Sequence, residues 1–428
     1  MKLLQFLRPK IDRLLQQRIV RDTLWLLVGK GMRLVLQAAY FVIIARTLGV
    51  ANYGAFVGTT ALVAIVSPFV GVGIETLLLK NVAKDRTLFR EYWGNALWMV
   101  VVSGFGLTIG LALAGPIVLP SISPISILLV AVSDLIFGSV TNVATRAFQA
   151  VDRLNVSAQI NIFTMFTKVL AALSLMYFFA KPTVLEWTWL YLASSLVAAL
   201  LSLLLVDRLL GKPKLALGRI LPELKEGFYF STSNSAYTIY NDIDKTMLAR
   251  LSTLEATGIY AAAYRLIDVA FIPVISIAGA AYADFFRKGK DGVAATVAFA
   301  KPLVVTTSAY SIFAGIGLLL FAPIVPYILG SDYTNVVDAL RWLAPIPLFR
   351  GLQHFGGDIL SGTGFQGFRS ALEVIISVFN IGINLWLIPL YSWQGAAWTS
   401  LASDGLLMLM LWSMVAFQYH QQNSKLSN

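Results

Sequence analysis

Residues 45–56 read ARTLGVANYGAF, and residues 249–260 read ARLSTLEATGIY. They align without gaps at an offset of 204, which pairs Arg46 with Arg250, Gly54 with Gly258 and Phe56 with Tyr260. Each stretch ends a long run of mostly apolar residues. The match therefore predicts a parallel duplication, with two like halves built from the same succession of elements.

Working outward from these two stretches, apolar runs recur along the whole chain, at about 22–46, 53–79, 94–114, 125–148, 157–180, 184–207, 227–250, 257–283, 300–329, 335–360, 370–390 and 394–418. Crossing a hydrocarbon core of about 30 Å takes about 20 such residues in a helix. The composition agrees, at 57% hydrophobic and 13% charged residues with a mean hydropathy of +0.74. No period-two alternation is present, so helices are expected rather than an outer-membrane barrel. The expected fold is an all-α integral membrane protein of about twelve transmembrane helices, in two pseudo-symmetric six-helix lobes around a central cavity.

Lys and Arg in loops set the orientation, because positive residues are retained in the cytoplasm. With the N-terminus inside, the inner connections hold Lys80, Lys84, Arg86, Arg90, Arg208, Lys212, Lys214, Arg287, Lys288 and Lys290, and the outer ones little beyond Arg46, Lys181 and Arg250. Both termini are expected in the cytoplasm. The formal charge of +11 follows from this asymmetry, and nucleic-acid binding is not needed to explain it. Residues 1–21 carry Lys2, Arg8, Lys10, Arg13, Arg18 and Arg21 without a cleavage site, and read as a basic amphipathic segment on an anionic membrane face. The lobes are expected at 22–207 and 227–418, joined by a cytoplasmic linker at 208–226, with a cytoplasmic tail at 419–428.

Chemistry is narrowed by what is missing from the sequence. There is no Cys, and the two histidines, His354 and His420, lie far apart, so no thiolate or metal site and no cofactor is expected. GTGFQG at 362–367 fits a dinucleotide fingerprint only by spacing, since no strand precedes it. No P-loop occurs, and every outer connection is short, which argues against a polytopic glycosyltransferase, polymerase or ligase. No catalytic residue is assigned.

Polar residues inside the spans are costly, about 2.5–3.5 kcal/mol for a charge at mid-bilayer on insertion scales, and mark pathways for substrates or ions. Lys30, Arg33 and Gln37 recur at helical spacing in the first span, Asn161, Thr164 and Lys168 in the fifth, and Ser231, Asn234, Thr238, Asn241, Asp242 and Lys245 in the seventh. Arg265 with Asp268, the series Arg350, His354 and Asp358, and the series Glu373, Ser377, Asn380 and Asn384 follow the same rule. Lys30, Arg33, Lys168, Lys245, Arg265 and Arg350 outnumber Asp134, Asp242, Asp244 and Asp268, so a cationic cavity for a phosphate-bearing anion is expected. Arg265 with Asp268, and Asp242 with Lys245, also read as neutralised structural pairs. Arg341 and Asp404 read as interfacial, snorkelling to the outer surface, and Glu75, Arg146, Asp358 and Glu373 as lying near the inner boundary.

The pattern N-x-x-D-[KR]-x-x-L-x-x-L at Asn241, Asp244, Lys245, Leu248 and Leu251, with G-x-Y-x-x-A-Y-[RK] at Gly258, Tyr260, Ala263, Tyr264 and Arg265, resembles the Wzx-type polysaccharide flippases of the multidrug/oligosaccharidyl-lipid/polysaccharide exporter superfamily. The resemblance covers nearly the whole chain. It implies movement of an undecaprenyl-diphosphate-linked repeat unit from the cytoplasmic to the periplasmic leaflet of the bacterial inner membrane, by alternating access between two lobes and with ion-gradient coupling. Its partners would be that lipid-linked oligosaccharide, membrane lipids, a polysaccharide polymerase and a chain-length regulator. On this reading Lys30, Arg33, Lys168, Lys245, Arg265 and Arg350 hold the diphosphate. Gln37, Asn234, Tyr237, Tyr240 and Asn241 face the sugar, and Asp242, Asp244, Asp268 or His354 carries a coupling proton. A cation-coupled drug or metabolite antiporter of the same superfamily is the alternative. It suits the two uncompensated cations of the first span poorly.

Overall fold

In the computed structural model the backbone is described for residues 2–216, 218 and 221–427, and side chains from 31 to 422 except at 217, 219–221, 233, 234, 236 and 237. Among the described residues every regular element is a helix: α1 Lys2–Val66, α2 Ile74–Lys84, α3 Phe89–Val118, α4 Pro124–Ala131, α5 Ser139–Ala150, α6 Leu154–Phe178, α7 Val184–Leu209, α8 Leu224–Leu251, α9 Leu254–Gly289, α10 Val293–Phe321, α11 Val325–Leu329, α12 Val336–Leu343, α13 Ile346–Gly362 and α14 Gln366–Ser427, with short 3₁₀ and π turns between some of them. In lipid no water is present to satisfy a bare amide, so long apolar runs resolve into helices that bond their own backbone.

Eight helical stretches among the described residues are long and apolar enough to cross a membrane, against twelve runs in the sequence. The difference has a local cause at each place. The stretch Gly31–Lys84 contains two of the expected runs, separated where Gly49 leaves helical geometry at φ 71° and ψ 168°. Gln366–Gln422 contains two more, on either side of Ser392 at φ 55° and ψ −135°. The polar stripe of α8 lowers its apolarity, while the run expected at 335–360 is divided between α12 and α13, of 8 and 17 residues. The molecule is a multi-pass membrane protein with an all-α fold.

The chain divides into two compact units, one of residues 1–48 with 62–237 and the other of 49–61 with 238–428. In the first, α6 packs on α7, and α5 lies against α2, α6 and α7. The fourth expected run is interrupted there by a π-helical turn, Val132–Gly138, between α4 and α5. Such turns make room for a side chain and frequently occur at functional sites. The 3₁₀ stretch Ser67–Gly73 before α2 begins with Pro68 near its start, which removes one backbone donor.

In the second unit α13 is central, packing against α9, α10 and α14. Phe285, Phe355, Ile359, Leu360, Leu411 and Val415 form its apolar core. Membrane helices cannot rely on water to drive them together, so close backbone approach through small residues supplies much of the attraction. Residues 50–61 of α1 meet the start of α9 in this way. A Cβ placed on Gly54 would lie 1.8 Å from the carbonyl oxygen of Leu254, and one on Gly258 would lie 2.0 Å from that of Val50.

Candidate functional site

Among the described residues, a polar cavity lies in the first unit and a network of charged and phenolic side chains in the second. In the first unit a cavity of about 390 Å³ is lined by Arg33 of α1, Glu75 of α2, Asp134 of the π-helical turn, Asn142 of α5, and Asn161, Thr164 and Lys168 of α6, among others. The i, i+3 and i+7 positions of α6 put its three polar residues on one face, as their spacing predicts. Lys168 Nζ donates to Tyr191 Oη at 3.0 Å, and Tyr191 Oη donates to Asp134 Oδ1 at 2.7 Å. Trp187 and Tyr40 stand beside Tyr191, with ring centroids 5.8 Å from Trp187 to Tyr191 and 5.9 Å from Tyr40 to Trp187. An apolar wall thus holds the Lys168–Tyr191–Asp134 chain in one geometry. Arg33 is exposed into this space.

The second assembly surrounds the stacked rings of Tyr260 and Tyr264, whose centroids are 4.7 Å apart. Lys245 Nζ lies 2.5 Å from Asp242 Oδ1 and also donates to the carbonyl of Asn241 at 3.3 Å. Asp244, 5% exposed, accepts from Tyr260, which also shares a 2.8 Å hydrogen bond with Ser400. Arg350 Nε lies 3.2 Å from Asp404 Oδ2, and its Nη1 lies 3.6 Å from Asp268 Oδ1. Tyr240 Oη and Gln353 Nε2 both donate to Asp404, at 2.6 and 3.2 Å from Oδ1. Lys245 and the Arg350 guanidinium lie 5.7 and 5.2 Å from the Tyr264 ring centroid, within cation–π range.

These contacts revise several expectations from the sequence. Asp404 does not snorkel to an interface: it is 2% exposed and is bound by Arg350, Tyr240 and Gln353. Asp268 pairs with Arg350, whereas the pairing expected from the sequence was with Arg265, which is half-buried on α9. Glu75 lines the cavity. The described lining of the first-unit cavity carries two cations, Arg33 and Lys168, and two carboxylates, Glu75 and Asp134. The cost of burying an unpaired charge explains why the buried Lys245 and Arg350 each have a carboxylate beside them.

The remaining assignments fall as follows. Asp242 pairs with Lys245 as one of the two readings expected. His354 stacks on Phe271 at 5.7 Å, and Gln37 is half-buried on α1. The side chains of Lys30, Asn234 and Tyr237 lie outside the described residues. Asn380 and Asn384 are buried and bonded in series, Asn384 to Asn380 at 3.0 Å and Asn380 to Ser403 at 3.1 Å. Asp358 and Glu373 both hold Arg369, at 3.3 and 2.9 Å. No group of His, Cys, Asp and Glu suited to a metal ion occurs among the described residues. Tyr191 and Gln353 were not singled out from the sequence. The available signal was their helical register with other polar residues, Tyr191 with Ser194 and Ser195, and Gln353 with Arg350.

The sequence profile of the family described as "Polysaccharide biosynthesis protein" matches residues 19–288. The chain belongs to this family. This family member is 22% identical over 402 residues to a protein of Escherichia coli (strain K12) described provisionally as an O-antigen transporter, with 91% of this chain and 95% of that one covered. Solved structures show the same fold. The lipid II flippase MurJ in an inward closed conformation superposes with a TM-score of 0.77 at 12% identity, covering 92% of this chain and 87% of the other. An inward-facing multidrug resistance MATE family transporter of the MOP superfamily gives 0.70 at 14% identity, covering 91% and 96%. A MOP superfamily transporter from Pyrococcus furiosus, reported to have a binding pocket of reversed polarity, gives 0.60 at 15% identity, covering 93% and 95%. The resemblance to Wzx-type flippases carried by the motifs at 241–251 and 258–265 agrees with both the family and the fold.

Proposed function

We propose that the protein moves an undecaprenyl-diphosphate-linked polysaccharide repeat unit from the cytoplasmic to the periplasmic leaflet of the bacterial inner membrane, by alternating access and driven by an ion gradient. The carrying observation is the cavity of the first unit, where Arg33 and Lys168 face open space in a member of the polysaccharide biosynthesis family. Arg presents a planar fork suited to phosphate oxygens, and Lys a compact point charge. Lys245 and Arg350 are already held by carboxylates, so a diphosphate would meet Arg33 first, with Lys168 and Lys30, which precedes Arg33 by three positions in the sequence. Asn142, Asn161 and Thr164 offer the hydroxyl-binding groups that a sugar requires. The acids Asp242, Asp244 and Asp268, or His354, serve the coupling ion. Lobes at 22–207 and 227–418, a cytoplasmic linker at 208–226 and cytoplasmic termini complete the proposal.

The second reading is a cation-coupled antiporter of the same superfamily. Glu75 and Asp134 in the same cavity favour it, because an organic cation would be balanced there by carboxylates. One experiment separates the two: leaflet movement of a labelled undecaprenyl-diphosphate oligosaccharide in proteoliposomes, with and without a proton gradient. The flippase reading expects movement in the wild type and its loss in Arg33→Ala. Absence of movement with several oligosaccharides, together with uptake of organic cations, would replace it with the antiporter.

A further inference from the structure

A second pocket lies away from both polar assemblies, between α12 and the part of α14 that follows Ser392. It is an open pocket of about 300 Å³, lined by Asp338, Arg341, Trp342, Trp393 and Gln394. We propose that this pocket binds a neutral saccharide ring.

The chemistry of the lining carries the assignment. A pyranose has one apolar C–H face and a rim of hydroxyls. It is bound by an aromatic plane with charged or amide groups at the edge, and ligand pockets of about 300 Å³ and above combine these two features. Trp342 is 48% exposed and supplies an accessible indole, while Trp393 is 9% exposed and forms a fixed wall. Trp398 meets Trp342 edge-on, with centroids 5.9 Å apart, and Tyr391 meets Trp398 at 5.1 Å, so the accessible indole is backed by other rings. Arg341 Nη1 lies 3.4 Å from Asp338 Oδ1. The pair brings donors and an acceptor to the pocket with no net charge, which suits hydroxyls better than a phosphate or a carboxylate. Gln394 adds an amide that can donate and accept at once.

Tryptophans at the ends of spanning helices commonly form an interfacial belt, each ring lying among lipid headgroups. Two observations set this group apart from a belt. Trp342 packs on Trp398 and lines the same pocket as the Asp338–Arg341 pair, and the backbone at Ser392 is held in a conformation rare for a residue with a side chain, φ 55° and ψ −135°, with its hydroxyl 2.7 Å from that of Ser252. That turn brings Trp393 and Gln394 to the same pocket as Asp338 and Arg341. That the pocket meets a glycan on the outer face rests on the flippase reading and its topology; its binding of sugars does not.

The test is saturation-transfer NMR on the full-length protein in nanodiscs, with methyl glycosides of glucose, galactose and N-acetylglucosamine as probes, and glucuronate and glycerol phosphate as charged controls. Transfer to ring C–H protons of at least one neutral glycoside is expected, with apparent affinity at least tenfold weaker in Trp342→Ala and in Gln394→Ala, and partly retained in Trp342→Phe. Both substituted side chains are exposed, and if Trp342→Ala fails to fold, Gln394→Ala and Trp342→Phe decide. No transfer from any neutral glycoside, equal transfer in the variants, or a response to glycerol phosphate alone would overturn the proposal, the last by assigning the pocket to a lipid headgroup. A protein that binds the glycosides but moves no lipid-linked oligosaccharide would sink the flippase reading and leave this site standing.

Discussion

Gly54 and Gly258 pack against each other's helix in a reciprocal way: the position of a Cβ on Gly54 is blocked by the carbonyl of Leu254, four residues before Gly258, and that of a Cβ on Gly258 by the carbonyl of Val50, four residues before Gly54. The two glycines are also the pair matched by the internal repeat at an offset of 204. Equivalent residues of two copies therefore meet across one helix crossing. Any side chain at either position must separate the backbones. Gly54→Ala and Gly258→Ala should each destabilise the fold by about 1–3 kcal/mol, the usual range for overpacking, with Gly54→Leu failing to fold. Thermal denaturation in detergent is the check, and unchanged melting of both alanine variants would refute the close crossing.

Arg33 is exposed to the cavity of the first unit and has no ion-pair partner among the described residues. Removing it should leave the melting temperature within the noise of surface substitutions, about ±0.5 kcal/mol, and abolish leaflet movement of the lipid-linked substrate. Arg33→Lys should retain part of the activity, since charge survives while the planar fork is lost. Full transport by Arg33→Ala would move the phosphate contact elsewhere.

Asp404 and Arg350 form a buried pair, at 3% and 15% side-chain exposure. Breaking a buried pair leaves one uncompensated charge and costs about 3–5 kcal/mol. Asp404→Asn should approach that cost, because Arg350 would retain only the more exposed Asp268. Adding Arg350→Gln should restore part of the loss. A double-mutant cycle on chemical denaturation in micelles measures the coupling, and strict additivity would show that the pair is not formed.

Tyr191 links Lys168 to Asp134 through one hydroxyl. Tyr191→Phe keeps the ring packed beside Trp187 but leaves a carboxylate and an ammonium each short of one hydrogen bond. The expected loss is about 1–3 kcal/mol of stability, and transport should fall with it if the chain positions Lys168 for substrate. A variant with normal stability but no transport would give the hydroxyl a direct role in binding. One normal in both would remove the chain from the mechanism.

The ion pair between Arg86 and Asp152 has side chains 62% and 83% exposed. Water and salt screen such pairs, which contribute about 0–1 kcal/mol. Arg86→Ala should therefore melt within a degree or two of the wild type and transport normally, in contrast to Asp404→Asn.

Much of the architecture could be read from the sequence because its cause is local. Each apolar run must satisfy its own backbone in lipid, so helices follow from composition and length alone. The breaks at Gly49 and near Ser392 fall between expected runs, and the glycine pair 54 and 258 emerges from the repeat. The face of α6 that carries Asn161, Thr164 and Lys168 follows from the helical period. Partners that lie far apart along the chain could not be read in this way. Asp404 looks like a residue at the end of a span, and becomes central only because Tyr240, Arg350 and Gln353, which lie 164, 54 and 51 positions away, converge on it. Asp134 was expected in the cavity from the sequence, whereas Glu75 enters it beside Arg33 and Lys168 through the fold of α2. Sequence by itself determined that this is a helical membrane protein of repeated halves with polar faces inside it. Tertiary structure alone decided which charges on those faces neutralise one another and which remain open to a ligand, because pairing energy depends on distance and burial.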